Sequence, residues 1–248
     1  MTDSSAEAAP AALGLLDRDL VFLDCEMTGG DPERNDIIEI GAVRTRLPEL
    51  VVLSELSSKV APRTMRGANQ QSVRISGYSA KEWKGAIAID VALHQLREFA
   101  AGGVFVGWAT YNDLLFVQAA AIRVGIDDLA NSAYVELQDW AQQRLHMSRS
   151  PGLQRMADQL KIVRDEEHSA LEDALVTYEV FRMLWRYGPE EFDLILPTLD
   201  WNSYAELAGP IALSDSTAAA RRAELARYVV TGASRDELLA RRAGFRRD

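Results

Sequence analysis

A single cysteine, Cys25, in a chain of 248 residues excludes an internal disulfide and fits a reducing compartment. Positive charge is also scarce: 27 lysines and arginines stand against 37 acids, for a net charge of -10. That balance argues against a protein that coats nucleic acid by bulk charge, and it leaves room for a local site that holds cations with carboxylates. Long apolar runs are missing. The longest uncharged run, Phe99 to Asn112, contains glycines and polar groups, whereas a membrane span needs about 18 or more apolar residues. Met1 to Gly14 lacks the basic start and apolar stretch of a secretory signal. The expectation is a soluble, cytoplasmic protein with no membrane partner. The remaining composition, 48% hydrophobic and 26% charged, is that of a globular chain and excludes a disordered or collagen-like one.

Met1 to Asp17 is rich in Ala and Ser without a sustained period, and reads as a mobile tail, residues 1–17. Leu20 to Leu23 is a short apolar run suited to a buried strand. Two β-branched stretches, Ile37 to Arg46 and Val51 to Val60, flank a turn at Leu47 to Leu50 and read as antiparallel strands. A helix is expected over Ser79 to Ala101, with an apolar stripe of Val91, Leu93, Leu96 and Phe99. A strand at Gly103 to Trp108 follows, then a helix carrying Leu115, Ala119, Ile122 and Ile126. Tyr134 to Leu137 reads as a short strand, with helices at Leu153 to Leu160 and Ser169 to Trp185. This order gives an α/β layer architecture, a mixed sheet with helices packed against it. The main domain spans residues 18–188. Residues 189–248 read as a C-terminal helical extension ending in a basic arm, Arg221 to Asp248, which has eight arginines against four acids.

The most informative stretch is Leu20-Val21-Phe22-Leu23-Asp24-Cys25-Glu26, an apolar strand ending in two acids. Side chains alternate along a strand, so Asp24 and Glu26 share a face and Cys25 points away. Two carboxylates at the end of a buried strand repel and are poorly solvated. A divalent cation relieves both problems, and oxygen ligands suit Mg²⁺ or Mn²⁺. Taken alone, so short a pattern is met more often at an exposed strand end with two solvated acids.

The wider sequence changes that balance. Asp24-Cys25-Glu26-Met27-Thr28-Gly29-Gly30-Asp31-Pro32-Glu33-Arg34, followed by Ile37-Ile38-Glu39-Ile40-Gly41-Ala42, resembles the first motif of the DEDD-type 3′–5′ exonucleases, with oligoribonuclease the nearest likeness. Val106-Gly107-Trp108-Ala109-Thr110-Tyr111-Asn112-Asp113 stands where that superfamily has a V-G-H-N-like segment leading to an Asp; Trp108 and Ala109 replace the usual His and Asn. His168-Ser169-Ala170-Leu171-Glu172-Asp173 matches the third motif, H-x-A-x-x-D, whose histidine marks the DEDDh subgroup. The likeness covers about Leu20 to Trp185.

The resemblance implies a ribonuclease H-like fold and removal of nucleoside 5′-monophosphates from 3′ ends. It implies two divalent ions, about 3.5–4 Å apart in such sites. Asp24 would bridge them, Glu26 and Asp173 would hold the water-activating ion, and Asp113 would support the other through water. His168 would be the general base, its unperturbed pKa near 6.5 suiting that role. Asp113 competes with Asn112 for the second-motif position and with a plain helix-capping role; a carboxylate contributes more than an amide to a dication site. Met27 and Thr28 would contact the 3′-terminal nucleotide through backbone amides and an apolar wedge, although Met27 also suits core filling. Trp108 offers either a stacking face or a core residue. Arg63, Arg66 and Arg74 either line an approach for phosphates or form a solvated loop. His94 and His146 read as structural. The expected partners are single-stranded DNA or RNA 3′ ends or short oligonucleotides, and a homodimer is compatible with the likeness. Two other readings stay open: a non-catalytic nucleic-acid-binding or scaffolding protein of the same fold, and a metal-dependent phosphoesterase acting on small nucleotides.

Overall fold

The structure is a computed structural model and describes residues 10–126, 129, 133–149, 151–163, 169–188, 190–192 and 209–245. His168, the first residues of the expected tail, Pro189, residues 193–208 and residues 246–248 lie outside them.

Strands β1 (Leu20–Met27), β2 (Ile37–Arg46) and β3 (Val51–Lys59) form an antiparallel meander. Two strands, β4 (Val104–Gly107) and β5 (Tyr134–Glu136), add to it in parallel, so that β1 lies inside the sheet. The described strands are ordered β3-β2-β1-β4-β5-β6, with β6 (Val229–Val230) antiparallel to β5. This is the mixed, ribonuclease H-like sheet that the motifs imply.

Alternation in β1 sorts the two cores. Leu20 and Phe22 enter the cluster that contains helix α7 (Ala170–Arg186), while Val21, Leu23 and Cys25 enter the opposite one. Helices α3 (Ile89–Phe99) and α4 (Thr110–Val124) cover that second face. On the α7 side lie α5 (Leu137–Arg144) and α6 (Leu153–Gln159). A short helix, α2 (Gln70–Ile75), lies between β3 and α3.

Three expectations need correction. Part of the segment read as a mobile tail is helical: α1 (Pro10–Leu15) leads into Leu16, which is completely buried. The helix expected over Ser79 to Ala101 is confined to Ile89–Phe99. Gly85, at φ 91°, breaks the helical path, and the Trp83 indole is turned inward to donate to the Ile38 carbonyl at 2.7 Å. The C-terminal extension is more than helical. It runs α8 (Asp215–Leu225), β6 and α9 (Arg235–Phe245), and β6 extends the sheet. It is also stitched to the main domain. Glu224 accepts from the Trp140 indole at 3.0 Å and pairs with the buried Arg144 guanidinium, and Leu225 is fully buried.

Candidate active site

The carboxyl ends of β1, β4 and β5 point to the same sheet edge, where open α/β sheets place their ligands. Asp24 and Glu26 project there on one face of β1, and Cys25 is buried on the other, as alternation requires. A register irregularity between Glu26 and Met27 shifts the pairing with β2, which continues to Met27 and Ile37 and then gives way to the Thr28 to Asn35 loop.

Asp173 arrives from the first turn of α7. Carboxylate oxygens of Asp24, Glu26 and Asp173 all lie within 4.8 Å of one another. Gly41 makes this approach possible. It pairs with Asp24 across β1 and β2. A Cβ there would stand 2.1 Å from the backbone of Ala170 and Leu171, so the start of α7 rests directly on the β2 main chain. At its far end α7 is held by the β2–β3 turn: Trp185 Nε1 donates to the Pro48 carbonyl at 2.9 Å and the Tyr178 hydroxyl to that of Leu50 at 2.7 Å. Asp173 is thus fixed by a helix anchored at both ends, and Gln154 Nε2 donates to its Oδ1 at 2.8 Å.

Asp113 joins from α4. It is 5% exposed, and its Oδ1 accepts the Cys25 N–H at 3.2 Å, between the two β1 acids. The helix cap is Ala109, so Asp113 does not serve as the N-cap, and Asn112 makes no comparable contact with β1 among the bonds described. Ala109 adopts the left-handed conformation, φ 61°, which costs a non-glycine residue about 1–2 kcal/mol. Glu136, at the end of β5, accepts the Ala109 N–H at 2.9 Å and that of Gln138 at 3.3 Å, and so holds this turn.

The acids are electrostatically uneasy. Burial, followed by the charges of Asp113, Asp173 and Glu26, pushes the Asp24 carboxyl well above its usual range. Burial likewise raises Asp113, against the pull of the Cys25 N–H. Burial and then Asp173 and Glu39 push Glu26 up to about 8. Glu136 is also raised to about 8, chiefly by burial. Clustered, partly dehydrated carboxylates supplying only oxygen are the donor set that a hard divalent cation requires, so the residues present fit such a group.

The other expected residues fall as follows. Met27 is half-buried and packs against the α4 core. Thr28 is 1% exposed, and its hydroxyl accepts the Asp36 N–H at 2.9 Å, which ties the two ends of the loop together. Trp108 is half-buried against the α7 core, with its indole N–H buried and without a hydrogen-bond partner among the described residues. Arg63 is engaged by Asp36 at 2.6 Å. His168 lies outside the described residues. Gly41, Gln154 and Glu136 also shape the site, and none of them was among the expected site residues. Glu136 had a readable signal, since Tyr134-Val135-Glu136 repeats the pattern of a strand ending in an acid.

A family model described as exonuclease, RNase_T, matches residues 21–181, from β1 through most of α7. The chain is 30% identical over 162 residues to a PolC-type DNA polymerase III of Thermotoga petrophila, covering 65% of this chain but only 11% of that protein. It is 25% identical over 195 residues to the DNA polymerase III subunit epsilon of Aquifex aeolicus, covering 75% of this chain and 92% of the other. The nuclease domain of 3′hExo, a DEDDh family member solved bound to rAMP, superposes with a TM-score of 0.58 at 17% identity, covering 67% of this chain and 92% of that one. Sheet order, acid placement and these likenesses agree, and the chain belongs to the exonuclease family.

Proposed function

We propose that this protein is a divalent-cation-dependent 3′–5′ exonuclease that releases nucleoside 5′-monophosphates from single-stranded DNA or RNA ends or from short oligonucleotides. The observation that carries the reading is the convergence of Asp24, Glu26 and Asp173 within 4.8 Å, with Asp113 bonded to the strand between the first two. These four residues would hold two Mg²⁺ or Mn²⁺ ions. Bound there, the ions supply an activated water and neutralise charge on the departing oxygen. The chain does the rest. Gln154 and the anchored α7 orient Asp173, the Cys25 N–H orients Asp113, and His168 accepts the proton of the attacking water. Met27 and Trp108 retain partly exposed surface, which suits apolar contact with a terminal base; the side chain of Thr28 has none to offer.

The test is incubation with end-labelled DNA and RNA oligomers. Shortening from the 3′ end is expected with Mg²⁺ or Mn²⁺, with arrest by a chelator and recovery on adding the ion back. Undiminished cleavage in excess chelator, or release from the 5′ end, overturns the proposal.

A further inference from the structure

Beside Asp173 the surface opens into a groove of about 810 Å³, lined by Met147, Arg149, Pro151, Gly152, Leu153, Gln154, Arg155 and Gln159. Ligand sites commonly measure roughly 300–1,000 Å³. Two guanidiniums line this one, and among the described residues no carboxylate does. Several arginines elsewhere are neutralised locally: Arg44 and Arg46 share Asp19, Arg63 pairs with Asp36, and Arg182 with Glu179. Arg149 and Arg155 have no acidic partner among the described residues, and both are exposed.

The groove is also tied to the acid cluster. Gln154 both lines it and donates to Asp173 Oδ1 at 2.8 Å, so its wall lies one side chain from the metal-binding carboxylates. Guanidinium groups are matched to phosphate oxygens, and the apolar surfaces of Met147, Pro151 and Leu153 between them suit the faces of bases. With a net charge of -10, the molecule as a whole repels a polyanion, so attraction must be supplied locally.

We propose that this groove binds the strand upstream of the scissile bond, Arg149 and Arg155 each neutralising one backbone phosphate. This rests on the exonuclease reading for its direction, and it adds a length preference: strands long enough to reach the groove are held more tightly than a dinucleotide.

The test uses the full chain, an Arg149→Ala/Arg155→Ala variant, and an Arg149→Lys/Arg155→Lys variant that keeps the charge. Binding of a fluorescent oligothymidine dodecamer is followed by anisotropy in chelator across a salt series, so that no activity is needed. Each lost phosphate contact should lower the slope of log affinity against log salt by about 0.7. The Ala variant should therefore be shallower by about 1.4, with the Lys variant close to wild type. In the presence of Mn²⁺, the ratio of kcat/KM for the dodecamer to that for a dinucleotide should fall about tenfold or more. An unchanged slope overturns the proposal, as does an equal loss on both substrates. A slope that falls as stated in the Ala variant, while the wild-type protein degrades no nucleic acid, would sustain the groove and refute the exonuclease reading.

Discussion

Stripped of divalent cations, this protein should lose stability as the pH rises from 5 to 8, and a cation should return that stability only at the upper end. Glu26 is the group to follow. Its carboxyl is pushed to about 8 by burial and by its acidic neighbours. Between its unfolded value and about 8, the folded protein therefore holds a proton that the unfolded chain has released, so stability falls with rising pH across that window. At about 1.4 kcal/mol per pH unit, the limit for this one group is about 5 kcal/mol. Glu26 is partly open to water, and halving the figure for that screening leaves about 2–3 kcal/mol. For a chain of this size, each kcal/mol moves the melting temperature by roughly 2–4 °C, so a loss of about 5–10 °C is expected. Thermal unfolding in chelator at pH 5 and pH 8 measures it. The Glu26→Gln variant cannot titrate there and should be flatter by that amount. Mn²⁺ at about a hundred times its dissociation constant should restore about 2.7 kcal/mol at pH 8, and much less at pH 5, where protons compete for the ligands. If wild type and Glu26→Gln show the same pH dependence, or if Mn²⁺ raises the melting temperature equally at both pH values, the electrostatic account of the cluster is wrong.

Asp113→Asn keeps an oxygen for the Cys25 N–H but removes the charge; melting should be unchanged or higher in chelator, with exonuclease activity lower by about 10²-fold or more, while Asn112→Ala does much less. Gly41→Ala drives a methyl into the backbone of Ala170 and Leu171 and should cost about 3 kcal/mol or more in denaturant unfolding. A displaced Asp173 should also lower the activity of the folded fraction, and a wild-type melting curve would contradict the direct helix-on-strand contact. His168→Ala should slow turnover by about 10²–10⁴-fold with Mn²⁺ binding, followed by calorimetry, little altered; an unaltered rate near neutral pH removes that histidine from the reaction.

The acids of β1 were legible because strand alternation fixes their shared face whatever surrounds them, and Asp173 because its motif stands at a helix start. Other parts depend on contacts that no local pattern records. In α5 the buried residues include Gln138 and Arg144, and Arg144 is tolerated there by pairing with Glu224, so the helix lacks a clean apolar stripe. Val91 and Ile122, assigned to apolar stripes, are 44% and 58% exposed. Leu93 and Leu96 of the expected α3 stripe do face the core, joined by Ala92, and α4 meets the core through the expected Leu115 and Ala119 together with Phe116 and Ala120. Strand β6 is two residues long and owes its existence to β5. Gly41 looks like any glycine until α7 is laid on it.

The stitching of α8, β6 and α9 has a consequence for how the chain acquires its shape during synthesis. Every carboxylate of the acid cluster lies at or before Asp173, so the whole ligand set leaves the ribosome well ahead of Val229. Until Val229 and Val230 emerge, the outer edge of β5 presents unpaired backbone groups, a template for pairing with another chain. The apolar surface later covered by Ala233 and Leu238 is exposed over the same interval. A nascent chain can therefore carry all four acids while it is still vulnerable to aggregation, and α9, which bears none of them, ends that period.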